Sequence, residues 1–204
     1  LWKSGIQFNL TDNSTDLNTG ILPLIPDYRS YDLGAYSIWQ QQKENWSYEI
    51  GGRYDWRPLT VRRISESVPR TIETIDHDFH QYAISGGLKF DWHSNFKTGL
   101  NTDFRLRAPA INELYSSGLH QGVSGLEEGD ENLDPEQSIK ILLSNNWSAG
   151  QRFFVQSVIY FQRINDYIFL QPQEEFRLTI RGAFPVFNYE QTDAHLWGAD
   201  ILMN

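Results

Sequence analysis

Apolar and polar residues alternate with a period of two along most of this chain. From Tyr48 the even positions are Tyr48, Ile50, Gly52, Tyr54 and Trp56, and the odd ones are Glu49, Gly51, Arg53, Asp55 and Arg57. The same alternation sets Tyr82, Ile84, Gly86, Leu88, Phe90 and Trp92 against Gln81, Ala83, Ser85, Gly87, Lys89 and Asp91. A third run sets Phe96, Thr98, Leu100, Thr102 and Phe104 against Lys97, Gly99, Asn101, Asp103 and Arg105. A helix would turn residues two apart to opposite sides, so these runs are strands. Segments near 2–10, 30–42, 134–147, 152–170 and 187–203 read as strands with less clean alternation. In 152–165 both faces are rather apolar, and the outward one is left open. No segment shows a helical period with caps.

The connections alternate in length as well. Lys43-Glu44-Asn45, His93-Ser94-Asn95 and Ser148-Ala149-Gly150 read as tight turns, between long segments at 11–29, 64–78, 106–133 and 171–186. Short turns at one end and long loops at the other mark an up-and-down outer-membrane barrel. A soluble sandwich mixes its connection lengths and crosses between sheets. Trp46, Trp92 and Trp147 each lie close to a short turn, at the rim where an aromatic girdle belongs. The pattern therefore predicts an all-β fold. It is an antiparallel up-and-down meander of about eight long strands, an open segment of a large transmembrane β-barrel, with edges at 2–10 and 187–203.

Composition narrows the function. The 204 residues are 40% hydrophobic and 14% aromatic, enough apolar surface to argue against disorder. The absence of cysteine removes disulfides, thiol nucleophiles and zinc–thiolate sites. A net charge of −9 opposes binding to a phosphate backbone, so no nucleic-acid partner is expected. No apolar run is long enough for a transmembrane helix, which says nothing against barrel strands. The chain begins at Leu1 without a signal peptide and stops at Asn204 inside a strand pattern, so both ends read as cuts in a longer protein.

Catalytic motifs are missing: there is no G-x-S-x-G, P-loop, H-E-x-x-H or G-x-G-x-x-G, and no enzyme activity is expected. The histidines offer binding chemistry instead. In Asp76-His77-Asp78-Phe79-His80, a loop would bring His77 and His80 to one metal beside Asp78. His120 lies in the longest loop, near Glu127, Glu128 and Asp130. The competing reading is that these are solvated loop residues. Asp130-x-Asn132-x-Asp134 resembles the start of a calcium loop, but Pro135 replaces the turn glycine and Ile141 the terminal glutamate, so an EF-hand is rejected. A weak cation site or a solvated acidic loop remain the two readings of that segment.

The stretch FRLRAPAINELYSSGLHQGVSGLEEGDENLDPEQS resembles a signature in the barrel domain of TonB-dependent outer-membrane receptors. The matching residues are Arg107, Ala108, Pro109, Glu113, Leu114, Tyr115, Gly118, Gly129, Asp130, Asn132, Leu133, Pro135 and Glu136. INDYIFLQP and RGAFPVFNYEQTDAHLWGAD, downstream, resemble the family's next strands. The resemblance implies a barrel segment, residues 1–204, of an active importer of a metal ion, haem or metal chelate. Its setting would be the outer membrane of a Gram-negative bacterium. Its partners would be outer-membrane lipid, the ligand, and the TonB complex through an N-terminal plug region that this chain lacks. The terminal barrel strands are also lacking, since the complete barrel has about 22 strands. No cofactor is implied. Gly118-Leu119-His120 is similar to receptors for zinc or haem. Within the motif, Pro109 ends a strand on which Arg105 and Arg107 share a face. Pro135 suits a strand start, where its missing N–H costs least. Arg107 and Glu136 are expected to pair across the wall. Two other architectures are consistent with alternation. One is a small closed outer-membrane barrel or adhesin-like binding module, which needs the first and last strands paired. The other is a soluble sandwich, which needs a second sheet over the aromatic face.

Overall fold

The computed structural model describes residues 1–16, 23–65, 68–69, 71–150 and 152–204. Eight long strands are present: β1 (Trp2–Asn13), β2 (Asp27–Lys43), β3 (Trp46–Ile64), β4 (Ile72–His93), β5 (Phe96–Arg107), β8 (Glu136–Ala149), β9 (Phe153–Thr179) and β10 (Gly182–Met203). Between β5 and β8 lie a one-turn helix, α1 (Ile111–Tyr115), and two short strands, β6 (Ser117–His120) and β7 (Gly125–Glu128). Elements of four or five residues are too short to show a period, which is why the alternation gave no sign of them. All belong to one sheet except α1, in the order β1-β2-β3-β4-β5-β8-β9-β10-β7-β6. The long strands pair antiparallel with their chain neighbours, and β7 adds to β10 in parallel.

Register decides which residues share a face, because directly opposed residues point to the same side. Tyr48 faces Leu88, Leu88 faces Leu100, Leu100 faces Leu143, and Leu143 faces Ile159. One apolar row therefore crosses five strands. Its side chains stay open: Leu88 is 48% exposed, Leu100 44% and Ile159 52%. Among the described residues no second sheet covers them, so the sandwich reading fails. The open face of 153–161 is the odd one, through Phe153, Ile159 and Phe161. Along β3 this outward band runs from Trp46 to Trp56. At about 3.3 Å per residue and a tilt near 40° it stands roughly 25 Å tall, the height of a barrel's lipid-facing belt. At its turn-side rim Trp46 stacks on Tyr48 (5.1 Å), Phe90 meets Trp92 edge-on (4.7 Å), and Trp147 meets Phe153 (5.7 Å).

Two expectations change. The segments 64–78 and 171–186 are largely strand, since β4 starts at Ile72 and β9 and β10 are joined by Ile180-Arg181 alone. These extensions stand above the band. Their outer face meets water rather than lipid, while Ile75, Phe79 and Val186 lie against the inward segment or are buried, so no outward apolar alternation marks them as strands. The second change concerns the edges. β1 is one, but β10 is covered at Val186–Asn188 by β7, so its free edge is interrupted there. Among the described residues β1 does not pair with β10, so the chain does not close on itself as a small barrel.

Leu100 lies mid-band on the outer face, and Asn101 beside it faces inward. Leu100→Arg in the full-length barrel is expected to destabilise folding into lipid by about 2–4 kcal/mol. Asn101→Arg is expected to change it little. Denaturant titration in liposomes measures both.

Candidate functional site

Pro109 stops β5 and Pro135 precedes β8, and the 25 or so residues between them turn onto the inner face of the wall. The inner face invites this only near its loop-side end. Lower down it carries Glu49, Arg53, Asp55 and Lys89; higher up β3 presents Leu59 and Val61. Leu114 and Tyr115 of α1 pack there with Leu133 and Ile168, flanked by Phe79 and Tyr189. This cluster is the main apolar core among the described residues, with Val186 and Leu126 buried where β7 meets β10.

Arg107 fixes the base of the inward segment. Its Nε–H donates to Glu136 (2.6 Å), and its terminal nitrogens donate to both Glu113 oxygens (2.9 and 3.2 Å). The expected Arg107–Glu136 pair thus forms, with Glu113 as a third member that pairing arguments alone had not supplied. Both carboxylates also cap backbone: Glu113 accepts from the Ala110 N–H at the start of α1 (2.6 Å), and Glu136 from the Ile168 N–H (2.7 Å). Asp130 N–H donates to the Glu113 carbonyl (3.0 Å) and Gly129 N–H to that of Ser116 (2.7 Å). A Cβ on Gly129 would lie 2.5 Å from the Leu114 carbonyl carbon, so only glycine permits this approach. Arg107, Pro109, Glu113, Tyr115, Asp130, Pro135 and Glu136, singled out from sequence, therefore converge on one structure.

Other contacts were not foreseen. Arg57 donates to the Pro109 carbonyl and lies over the Phe79 ring at 5.0 Å. Arg63 pairs with Glu131 and faces the Tyr115 ring at 5.7 Å. Gln191 donates to the carbonyls of Asp134 (2.8 Å) and Asp166 (2.9 Å) and accepts from the Asp134 N–H (2.8 Å). Nothing in a single sequence ties these residues to a loop that is 50 positions or more away.

The histidines separate. Because β4 begins at Ile72, His77 and His80 lie on a strand, where an odd spacing sends them to opposite sides. His77 is inside, bonded to the Tyr115 hydroxyl and stacked on Phe79 at 5.3 Å. His80 is outside, with its Nδ1 2.7 Å from the Tyr54 hydroxyl. Asp78, also outside, accepts from the Trp56 indole N–H. His77, Asp78 and His80 thus do not meet, and among the described residues no three His, Asp or Glu side chains are grouped to hold a metal. His120 on β6 has a different setting. Its Nδ1 is 2.6 Å from the carboxylate of Glu127, which is buried, while His120 itself is 45% exposed.

Burial and the charge of Glu131 push the Tyr115 hydroxyl up to about 12. Burial pulls the His77 imidazole down from its usual value. Both partners are therefore neutral near pH 7, and one hydrogen bond joins the phenol oxygen to the ring nitrogen.

The sequence profile described as "TonB dependent receptor-like, beta-barrel" matches residues 2–203. The chain belongs to this family. Its members are outer-membrane receptors and transporters rather than enzymes. Solved structures share the fold at low identity. The copper transporter OprC is 14% identical with a TM-score of 0.74, covering 99% of this chain and 32% of its own. The Serratia marcescens hemophore receptor HasR, solved as a double mutant with its hemophore HasA and heme, is 13% identical with a TM-score of 0.77. That match covers 100% of this chain and 36% of HasR. The ferric-catecholate import receptor Fiu from K12 E. coli is 10% identical with a TM-score of 0.54, covering 99% of this chain and 31% of its own. The chain thus spans about a third of these TonB-dependent receptors.

Two outcomes follow for the receptor barrel. Arg107→Met strands two half-buried carboxylates and is expected to destabilise the inward segment by about 3 kcal/mol. Deuterium exchange at 108–133 should rise while the band strands stay protected. His77 is held neutral, so its contribution is complete above the ordinary imidazole range and is lost as pH falls through it. Exchange around Tyr115 should therefore increase between pH 7.5 and 5.5, and His77→Gln should remove that pH dependence.

Proposed function

We propose that this chain is a barrel segment of an outer-membrane importer for a metal-bearing nutrient, with His120 meeting the metal. The observation that carries the reading is the His120–Glu127 pair on the inward segment. A carboxylate on Nδ1 fixes the ring, holds the proton on that nitrogen and leaves Nε2 as the donor toward solvent. Carboxylate–histidine pairs of this kind tune metal ligands. The site needs no resident cofactor, because the metal is cargo. One further ligand set would come from the cargo itself, such as a chelator or porphyrin, or from parts of the receptor outside this chain.

Several observations support the rest of the proposal. The outward apolar band, with Trp46, Trp92 and Trp147 as its turn-side girdle, suits a bilayer belt, so outer-membrane lipid is the surrounding partner. The inner face below the core is polar, which suits contact with a plug that the TonB complex would move. Copper for OprC and heme for HasR, as their descriptions state, mark metal-bearing cargo as a use of this fold.

Calorimetry of the full-length receptor with copper, zinc and haem tests the assignment. His120→Gln and Glu127→Gln are each expected to weaken the preferred probe by about 10- to 100-fold, with His80→Gln as the outward-facing control. Unchanged affinity for all three probes in His120→Gln would sink the assignment.

A further inference from the structure

The wall is uneven in height. β5 ends at Arg107, just before Pro109, and β8 begins at Glu136, just after Pro135. Their neighbours climb on: β4 continues above its last β5 pair, Tyr82, up to Ile72, and β9 continues above its last β8 pair, Asn165, up to Thr179. Among the described residues, the upper part of β4 has only β3 beside it, and the upper part of β9 has only β10. Because the segment joining β5 to β8 folds inward, it leaves a notch between two strand edges. The gap is three interstrand spacings, about 14 Å, which is room for two strands.

An uncovered strand edge is a template for another strand, and proteins usually shorten, bend or cover it. Here neither edge is shortened, and both carry open apolar side chains. Ile72 is 77% exposed on one side, and Phe176 and Leu178 are 70% and 83% exposed on the other. The two edges are also acidic. β4 contributes Asp76 and Asp78, besides Glu73, which pairs with Arg63 (3.4 Å), and β9 contributes Glu174 and Glu175 against the single Arg177, which already pairs with Glu128 and Glu175.

We propose that this notch is a docking site for a β-hairpin of an extracellular protein partner, one that alternates apolar with lysine or arginine residues. Backbone pairing to the β4 and β9 edges supplies affinity. Asp76, Asp78 and Glu174 select for positive charge, and Ile72, Phe176 and Leu178 receive the apolar side chains. The site lies on the wall above the membrane, apart from the His120 pair. It rests on the loop-side end facing out of the cell, and its test is separable from metal binding.

The probe is a disulfide-closed hairpin with two strands of about six residues alternating valine and lysine, titrated into the purified full-length receptor. A glutamate-for-lysine hairpin is the control. The lysine hairpin is expected to bind at least tenfold more tightly, to protect amides 72–81 and 169–179 from deuterium exchange (the Ile168 N–H is already held by Glu136), and to weaken about threefold or more in an Asp76→Asn/Asp78→Asn receptor. No binding, or binding without protection of both edges, overturns the proposal. Full protection of both edges in the free receptor also overturns it, since other parts of the receptor would then fill the notch.

Discussion

Every peptide N–H and C=O inside a bilayer must find its partner within the protein, at a cost of several kcal/mol for each group left alone. The rest of this structure depends on that constraint. It makes the membrane part of the chain a continuous ladder of paired strands, joined at one end by the shortest turns available. The ladder in turn fixes registers, and registers fix sides. Once Leu88 lies opposite Leu100 and Leu100 opposite Leu143, one side of the whole sheet is apolar and the other polar. No packed interior is needed for this, because lipid takes the place of a second layer.

Above the membrane the constraint relaxes and a second interaction takes over. There the outer side faces water instead of lipid, and the inner side needs another source of order. Arg107 supplies it by tying the end of β5, the cap of α1 and the start of β8 together through Glu113 and Glu136. The anchored segment then buries Leu114 and Tyr115 against Leu59 and Val61, and its β6–β7 hairpin covers the loop-side end of β10. The same inward fold has two consequences of opposite kind. It places the His120–Glu127 pair at the mouth, and it opens the notch between β4 and β9.

What the sequence could reveal follows from the same division. Strands in the band were legible because one of their faces meets lipid and must be apolar. Their extensions, at 72–78 and 171–186, were read as loops because neither face is so constrained. That misreading carried over to the histidines. In a loop His77 and His80 could converge; in β4 the parity of the strand separates them. Arg107 and Glu136 were legible because proline marks both strand ends and the pair bridges adjacent strands. Arg57, Arg63 and Gln191 reach the inward segment from distant strands, and their role rests on a three-dimensional fold that leaves no local pattern.

This chain contains no cysteine, so single cysteines placed along β4 from His77 to Leu88 in a full-length receptor, with any cysteine outside this segment replaced by serine, are the only labelling sites. Spin labels at these positions report lipid and water contact through oxygen and a water-soluble relaxant. From Tyr82 to Leu88 the even positions should be oxygen-accessible and the odd ones not, and above His80 that alternation should give way to water on the outer side. Uniform water accessibility on both faces from residues 82 to 88, or lipid contact on the odd face, would contradict the assignment of this sheet as a membrane wall with its polar face inward.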